Sequence, residues 1–281
     1  MHSPSPWRRR AALALTVLAL TACAAPTDRP AAPTALTAAV DGGRMAFVLQ
    51  GQADDGAAPT VVFQSGLGDD HRTWSAVLQQ LPGQFQAIAP DRPGYGDSPP
   101  RGDVRDACRI AQEQRTLLRR AGMAPPYVLV GHSLGGWYQY VYARLYPEDV
   151  AGLVLLDPTH PGTQAALAER HPAAASLLQL ARNTVFTPAM AQEFDAQSAC
   201  LERVEQQAPL AAPALLLAST DTPVYYGAAL RETLETLRQD WLRRSGAALS
   251  RVAGSGHRIQ QDAPAAVVQA IEALARPVGA L

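Results

Sequence analysis

Tyr127-Val-Leu-Val-Gly-His-Ser-Leu-Gly-Gly136 is a short apolar run that breaks at Gly131-His132-Ser133-Leu134-Gly135. Tyr127 to Val130 is rich in β-formers, and Trp137 to Tyr146 reads as a helix closed by Pro147. Ser133 therefore stands on a sharp strand-to-helix turn, a G-x-S-x-G pattern in which side chains at the flanking glycines would collide. Such a turn pushes the serine hydroxyl clear of the backbone, and Ser133 is the candidate nucleophile.

Outward from this segment, strand-like and helix-like stretches alternate. Arg44 to Gln50, Thr60 to Gln64, Phe85 to Ala89, Val150 to Leu156, Ala214 to Ala218 and Leu249 to Ala253 read as strands. Helices are expected at about Thr73 to Leu81, Asp103 to Ala121, Tyr226 to Arg244 and Ala263 to Ala275. Several strands are apolar throughout, as in a sheet buried on both faces. The fold class is α/β, with a mostly parallel central sheet and helices on both sides. Thr159 to about Leu210 breaks the rhythm, being alanine- and glutamine-rich without a strand, and reads as an inserted helical cap.

Composition narrows the chemistry. The 281 residues are 47% hydrophobic with a formal net charge of -1, so no nucleic-acid partner is expected. All 24 basic residues are arginine. The absence of lysine excludes a Walker-type phosphate loop and any Schiff-base lysine. The three cysteines and six histidines show no metal-ligand spacing, so no metal and no cofactor are expected. Cys108 and Cys200 could pair in an oxidising compartment or remain small buried hydrophobes.

The N-terminus reads as an export signal. Arg8-Arg9-Arg10 precede the apolar Ala11 to Ala19, which is too short to span a bilayer. Leu20-Thr21-Ala22-Cys23 resembles a bacterial lipobox, making Cys23 the candidate lipidated residue. Residues 1–23 are thus expected to be signal, 24–39 a Pro/Ala/Thr-rich tether, and 40–281 the folded domain. The expected location is the periplasmic face of a membrane, held by the N-terminal lipid. The alternative is ordinary cleavage and a soluble secreted protein.

With these pieces in order, the chain resembles the α/β-hydrolase family in its serine-hydrolase branch. The resemblance covers Arg44 to about Ala275. It rests on Ser65-Gly66-Leu67-Gly68-Asp69-Asp70, on Asp91-Arg92-Pro93-Gly94-Tyr95-Gly96-Asp97-Ser98, on the turn at Ser133, and on the late Gly254-Ser255-Gly256-His257. One departure is Ser65-Gly66, where the family commonly has His-Gly.

The resemblance implies a Ser-acid-His order, with His257 as the base that takes the Ser133 proton and a carboxylate that orients it. Asp157, at the tip of the strand after the Ser133 helix, is the favoured acid. Asp221, after the next strand, is the alternative. The backbone N–H groups of Leu67 and Leu134 are the implied oxyanion donors. His132 is expected to pack or bond locally, and His71 and His160 are not expected to act as bases. Asp69 and Asp70 suit a helix N-terminus.

The expected activity is hydrolysis of a carboxylic ester of a small or medium acyl substrate through an acyl-enzyme. An amide or peptide hydrolase of the aminopeptidase type is the alternative, and would want cap carboxylates to hold a substrate amine. Glu193, Asp195, Glu202 and Glu205 are available, with solvated helix surface as their expected place. A non-catalytic binding lipoprotein on the same scaffold is the third possibility.

Overall fold

The computed structural model describes residues 32–51, 58–103, 105–223 and 226–275. The signal-like segment and Cys23 lie outside the described residues.

The chain builds one eight-stranded sheet from the described residues. The strands are β1 (Thr34–Val40), β2 (Gly43–Gln50), β3 (Thr60–Gln64), β4 (Ala87–Pro90), β5 (Tyr127–His132), β6 (Val150–Leu156), β7 (Ala214–Ser219) and β8 (Ala248–Val252). Their spatial order is β1-β2-β4-β3-β5-β6-β7-β8. β2 runs antiparallel to both its neighbours, and the other pairings are parallel.

The helices are α1 (Ser75–Gln80), α2 (Ala107–Arg120), α3 (Leu134–Leu145), α4 (Thr163–Arg170), α5 (Pro172–Thr184), α6 (Pro188–Asp195), α7 (Leu201–Glu205), α8 (Ala228–Ser245), α9 (Ile259–Asp262) and α10 (Pro264–Ala275). Two separate cores show how they cover the sheet. Val62, Leu129, Leu153, Leu155 and Leu216 pack with α2, α3 and Trp241 of α8. Val61, Phe63, Val128, Val130, Val154 and Leu156 pack with α1, α9 and α10. Alternate residues of a strand point to opposite faces, so both sets must be apolar, and the central strands read as unbroken hydrophobic runs.

One element was not expected. The tether anticipated over residues 24–39 gives way at Thr34 to β1, which pairs with β2 along its whole length. β1 is an edge strand exposed nearly throughout, so it carries no hydrophobic alternation to betray it. Its signal is the turn: Asp41 and Gly42 both have positive φ, 33° and 87°. Asp-Gly in that conformation joins strands whose twist matches a two-residue hairpin. The helix anticipated from Asp103 begins at Ala107, where the Asp106 carboxylate caps the Arg109 N–H at 2.8 Å.

The expected cap is present as α4 to α7, inserted between β6 and β7 without a strand. Cys108 on α2 and Cys200 at the start of α7 form a disulfide, with Cα atoms 5.8 Å apart. It ties the far end of the cap to the main domain. Among the described residues no helix is long and apolar enough to cross a membrane.

Candidate active site

The turn at Ser133 is strained by design of its surroundings. Ser133 has φ 53° and ψ −121°, a conformation that a side-chain-bearing residue holds only where neighbours fix it. Its N–H donates to the Leu156 carbonyl at 2.9 Å, and its carbonyl accepts from Thr159 and Gly136. Behind it, a Cβ on Gly135 would fall 2.2 Å from the Gln64 carbonyl oxygen, so only glycine lets α3 sit on the end of β3. The Ser133 hydroxyl lies 3.1 Å from the Thr159 hydroxyl, and among the described residues it makes no direct bond to His257.

Asp157 follows β6 with φ 38°, a second strained position beside the first. Its N–H donates to Leu217 at 2.9 Å, and its Oδ1 accepts the Ser219 N–H at 3.1 Å. The other oxygen, Oδ2, lies 3.5 Å from His257 Nδ1. Burial pushes the Asp157 carboxyl up, but the bonds from His257 and Ser219 outweigh it and hold the group below the usual aspartate value.

His257 extends from the loop after β8 with its side chain 59% exposed, while its backbone is gripped. Its carbonyl accepts from His132 Nε2 at 2.8 Å, and the two rings stand 4.7 Å apart. A carbonyl can only accept, so His132 carries its proton on Nε2. Burial first, and then the nearby His257, lower the His132 pKa to about 3. His132 is therefore a neutral donor that reaches across to the loop carrying His257. Its Nδ1 faces Asp69 at 3.9 Å, and Asp69 pairs with Arg258 at 3.0 Å.

Asp221 is placed differently. Its carboxylate is exposed and accepts from the Thr220 hydroxyl at 3.2 Å. Its contribution to the His257 loop is made by backbone, since the Thr220 and Asp221 N–H groups both donate to the Ser255 carbonyl. The structure thus brings Asp157, not Asp221, against His257.

The Gly66–Leu67 segment lies directly over Ser133. A Cβ on Gly66 would stand 3.2 Å from the Ser133 Cβ. Asp69 N–H closes this turn on the Gly66 carbonyl at 3.4 Å, with Gly68 at φ +81°. Leu134 is the first residue of α3, so its N–H has no carbonyl one turn back within the helix.

Of the two acids expected at a helix start, Asp70 caps the short turn at His71–Trp74 through Arg72 N–H, whereas Asp69 pairs with Arg258 instead. His71 Nδ1 bonds Asp91, and His160 Nε2 bonds Asp240. Asp70, His71 and Asp91 cluster closely enough to suggest a metal. The Asp91 carboxylate there already accepts from the His71 backbone and ring and from Asp97 N–H.

Of the cap carboxylates, Glu193 departs from its expected solvated place. It is fully buried, bonded to Arg92, Arg105 and Tyr95. Its position in the α6 pattern gave no warning, because its partners lie on a distant loop. Asp195 pairs with Arg182, Glu202 meets Gln206, and Glu205 pairs with Arg244, all at the surface. Thr159 and Ser219 are site residues that sequence reasoning missed. Neither belongs to a motif, and each matters only through where the strand ends place it.

The Alpha/beta hydrolase family pattern matches residues 61–270. The esterase Rv0045c of Mycobacterium tuberculosis is 33% identical over 154 residues, covering 55% of this chain and 48% of that protein. YqjL of Bacillus subtilis is 34% identical over 99 residues, 35% of this chain and 39% of its own. The chain thus matches less than half the length of these relatives. Cfl2 from Burkholderia cenocepacia superposes with a TM-score of 0.63 at 21% identity, covering 86% of this chain and 95% of that one. A family pattern spanning β3 to α10, and a fold shared with Cfl2 over nearly its full length, agree with the strained serine at the end of β5: the chain belongs to the alpha/beta hydrolase family.

Proposed function

We propose that the protein is a serine hydrolase that cleaves a carboxylic ester through an acyl-enzyme, with Ser133 as nucleophile, His257 as base and Asp157 as the acid that orients it. The observation that carries this reading is the Asp157 Oδ2 to His257 Nδ1 approach of 3.5 Å, beside a serine held at positive φ. On substrate binding the Ser133 hydroxyl turns from Thr159 to His257 Nε2, which takes its proton as the oxygen attacks the acyl carbon. Asp157 fixes the Nδ1–H tautomer and stabilises the imidazolium. The Leu67 and Leu134 N–H groups receive the oxyanion, each such donor contributing about 3 kcal/mol. His257 returns the proton to the leaving alcohol, and water then releases the acid by the same steps in reverse order. No metal or cofactor enters this scheme.

The ester reading is favoured over the aminopeptidase type by the cap carboxylates. Glu193 is consumed by two arginines, and Asp195 and Glu205 are paired at the surface, while Glu202 lies exposed beside Gln206, so three of the four cap carboxylates are already engaged by arginine. The name of the mycobacterial relative, an esterase, points the same way. The Cys108–Cys200 disulfide suits an oxidising compartment. With the lipobox-like Cys23, it supports an exported enzyme anchored to a membrane by its N-terminal lipid. An organophosphonate should label Ser133 stoichiometrically, and Ser133→Ala should abolish labelling and turnover of chromogenic esters. Labelling at another residue would refute the site.

A further inference from the structure

Arg92 is a buried guanidinium, 2% exposed, and each of its five N–H groups has a protein acceptor. Nε donates to Glu193 Oε1 at 2.9 Å. Nη1 serves the Ser65 carbonyl at 2.7 Å and Gln64 Oε1 at 3.2 Å. Nη2 serves the Gly66 carbonyl at 2.9 Å and Glu193 Oε2 at 3.0 Å. The Gly66 carbonyl belongs to the peptide unit whose other end is the Leu67 N–H. A trans peptide is planar and points its C=O and N–H in opposite directions. The bond from Arg92, shorter than the 3.4 Å one from Asp69 N–H to the same oxygen, therefore helps fix the direction of that C=O, sends the N–H away from the arginine, and polarises it as a donor.

Glu193 is what keeps Arg92 in place. It belongs to cap helix α6, and it also binds Arg105 Nη2 at 3.2 Å and the Tyr95 hydroxyl at 2.8 Å. The Tyr95 ring lies under the Arg92 guanidinium at 4.5 Å. The same helix rests on both loops: Ala189 Cβ lies 2.6 Å from where a Gly94 side chain would start, and Met190 Cε 3.1 Å from that of Gly68. Apolar replacement of a whole buried cluster of this kind is often neutral for stability, whereas removing one partner leaves the other charge buried and uncompensated.

We propose that Arg92 is the positioning residue of the oxyanion hole and that Glu193 of the cap holds it, so that seating of α6 and aiming of the Leu67 N–H are coupled. The assignment rests on the serine-hydrolase reading above. Glu193→Gln keeps the shape of the contact and removes its charge. Arg92→Lys keeps the charge and removes the fork that spans Ser65, Gly66 and Glu193. The folded variants should lower kcat on a p-nitrophenyl ester by about ten- to a hundred-fold with KM nearly unchanged, and weaken a trifluoromethyl ketone inhibitor by a similar factor. The corresponding methyl ketone, which binds without forming the oxyanion, should be unaffected.

A merely structural role would lower thermal stability without separating the two ketones. Folded variants with wild-type kcat and ketone discrimination overturn the proposal, as does a loss confined to KM. If Glu193→Gln does not fold, Arg92→Lys carries the same expectation in the same assays. A wild-type protein that neither turns over ester nor is labelled at Ser133 would sink the hydrolase reading itself. An active wild type matched by its variants sinks only the role of Arg92.

Discussion

The Asp157 carboxylate grips the Ser219 N–H with one oxygen and meets His257 Nδ1 with the other at 3.5 Å. One side chain thus joins the ends of β6 and β7 to the loop after β8. The adjacent Asp221 uses only its backbone for that loop.

This arrangement separates the two acids experimentally. Asp157→Asn should cost roughly four orders of magnitude in turnover, because the amide leaves His257 in the wrong tautomer and its imidazolium unsupported. Asp221→Asn should leave turnover within a few-fold, since the Thr220 and Asp221 N–H bonds to Ser255 remain. Turnover measured on folded variants of matched melting temperature decides it, and the opposite ranking would move the acid role to Asp221.

Stability should fall in acid through His132. Buried beside His257, it titrates near pH 3 in the fold, whereas an unfolded imidazole titrates near 6.5. The folded value is the lower one, so the unfolded chain takes up the proton first. Stability is then lost as pH drops from about 6.5 towards 3, by up to about 1.4 kcal/mol per pH unit. His132→Asn should lack this component. Urea melts of both proteins at pH 7 and pH 4.5 should show the gap between them narrowing at the lower pH. Parallel profiles would contradict the assignment.

The disulfide makes its own forecast. Cys108 and Cys200 close a loop with a sequence separation of 92, and removing such a link typically costs about 2–5 kcal/mol. The Cys108→Ala/Cys200→Ala double variant should melt about 5–15 °C lower, as should the wild type in reductant. Two free thiols titrated in the denatured, unreduced protein would mean that the cysteines are unpaired.

Anchoring is tested at the mature N-terminus. One acyl chain holds a protein only marginally to a bilayer, so stable attachment needs a multiply acylated Cys23. Mass spectrometry should find that cysteine lipidated, and Cys23→Ser should give unprocessed precursor or a soluble form with unchanged catalytic constants. A free start at Ala24 or beyond would make the protein secreted.

Local patterns carried the elements that depend on local physics. The apolar run Tyr127 to Val130 and the glycines about Ser133 announce a strand, a turn and a helix, because period and turn chemistry act within a few residues. The unbroken hydrophobic strands likewise announce a parallel sheet covered on both faces, and the strandless stretch after Asp157 announces the cap. Edge strand β1 escaped because exposure erases the alternation on which such reading relies, leaving only the Asp41-Gly42 turn.

What the tertiary structure decided were meetings between distant segments. Two aspartates at the ends of neighbouring strands were both eligible by sequence, with Asp157 favoured and Asp221 the alternative. Only the register of β6 and β7 and the path of the β8 loop set Asp157 facing His257. Glu193 reads as helix surface until the cap folds down on Arg92 and Arg105, and Cys108 could be a paired or a merely buried cysteine until α7 brings Cys200 to it. Sequence period reports which way a side chain points along its own element. Its partner is chosen by packing, where burying a charge is favourable only beside a complement from elsewhere in the chain.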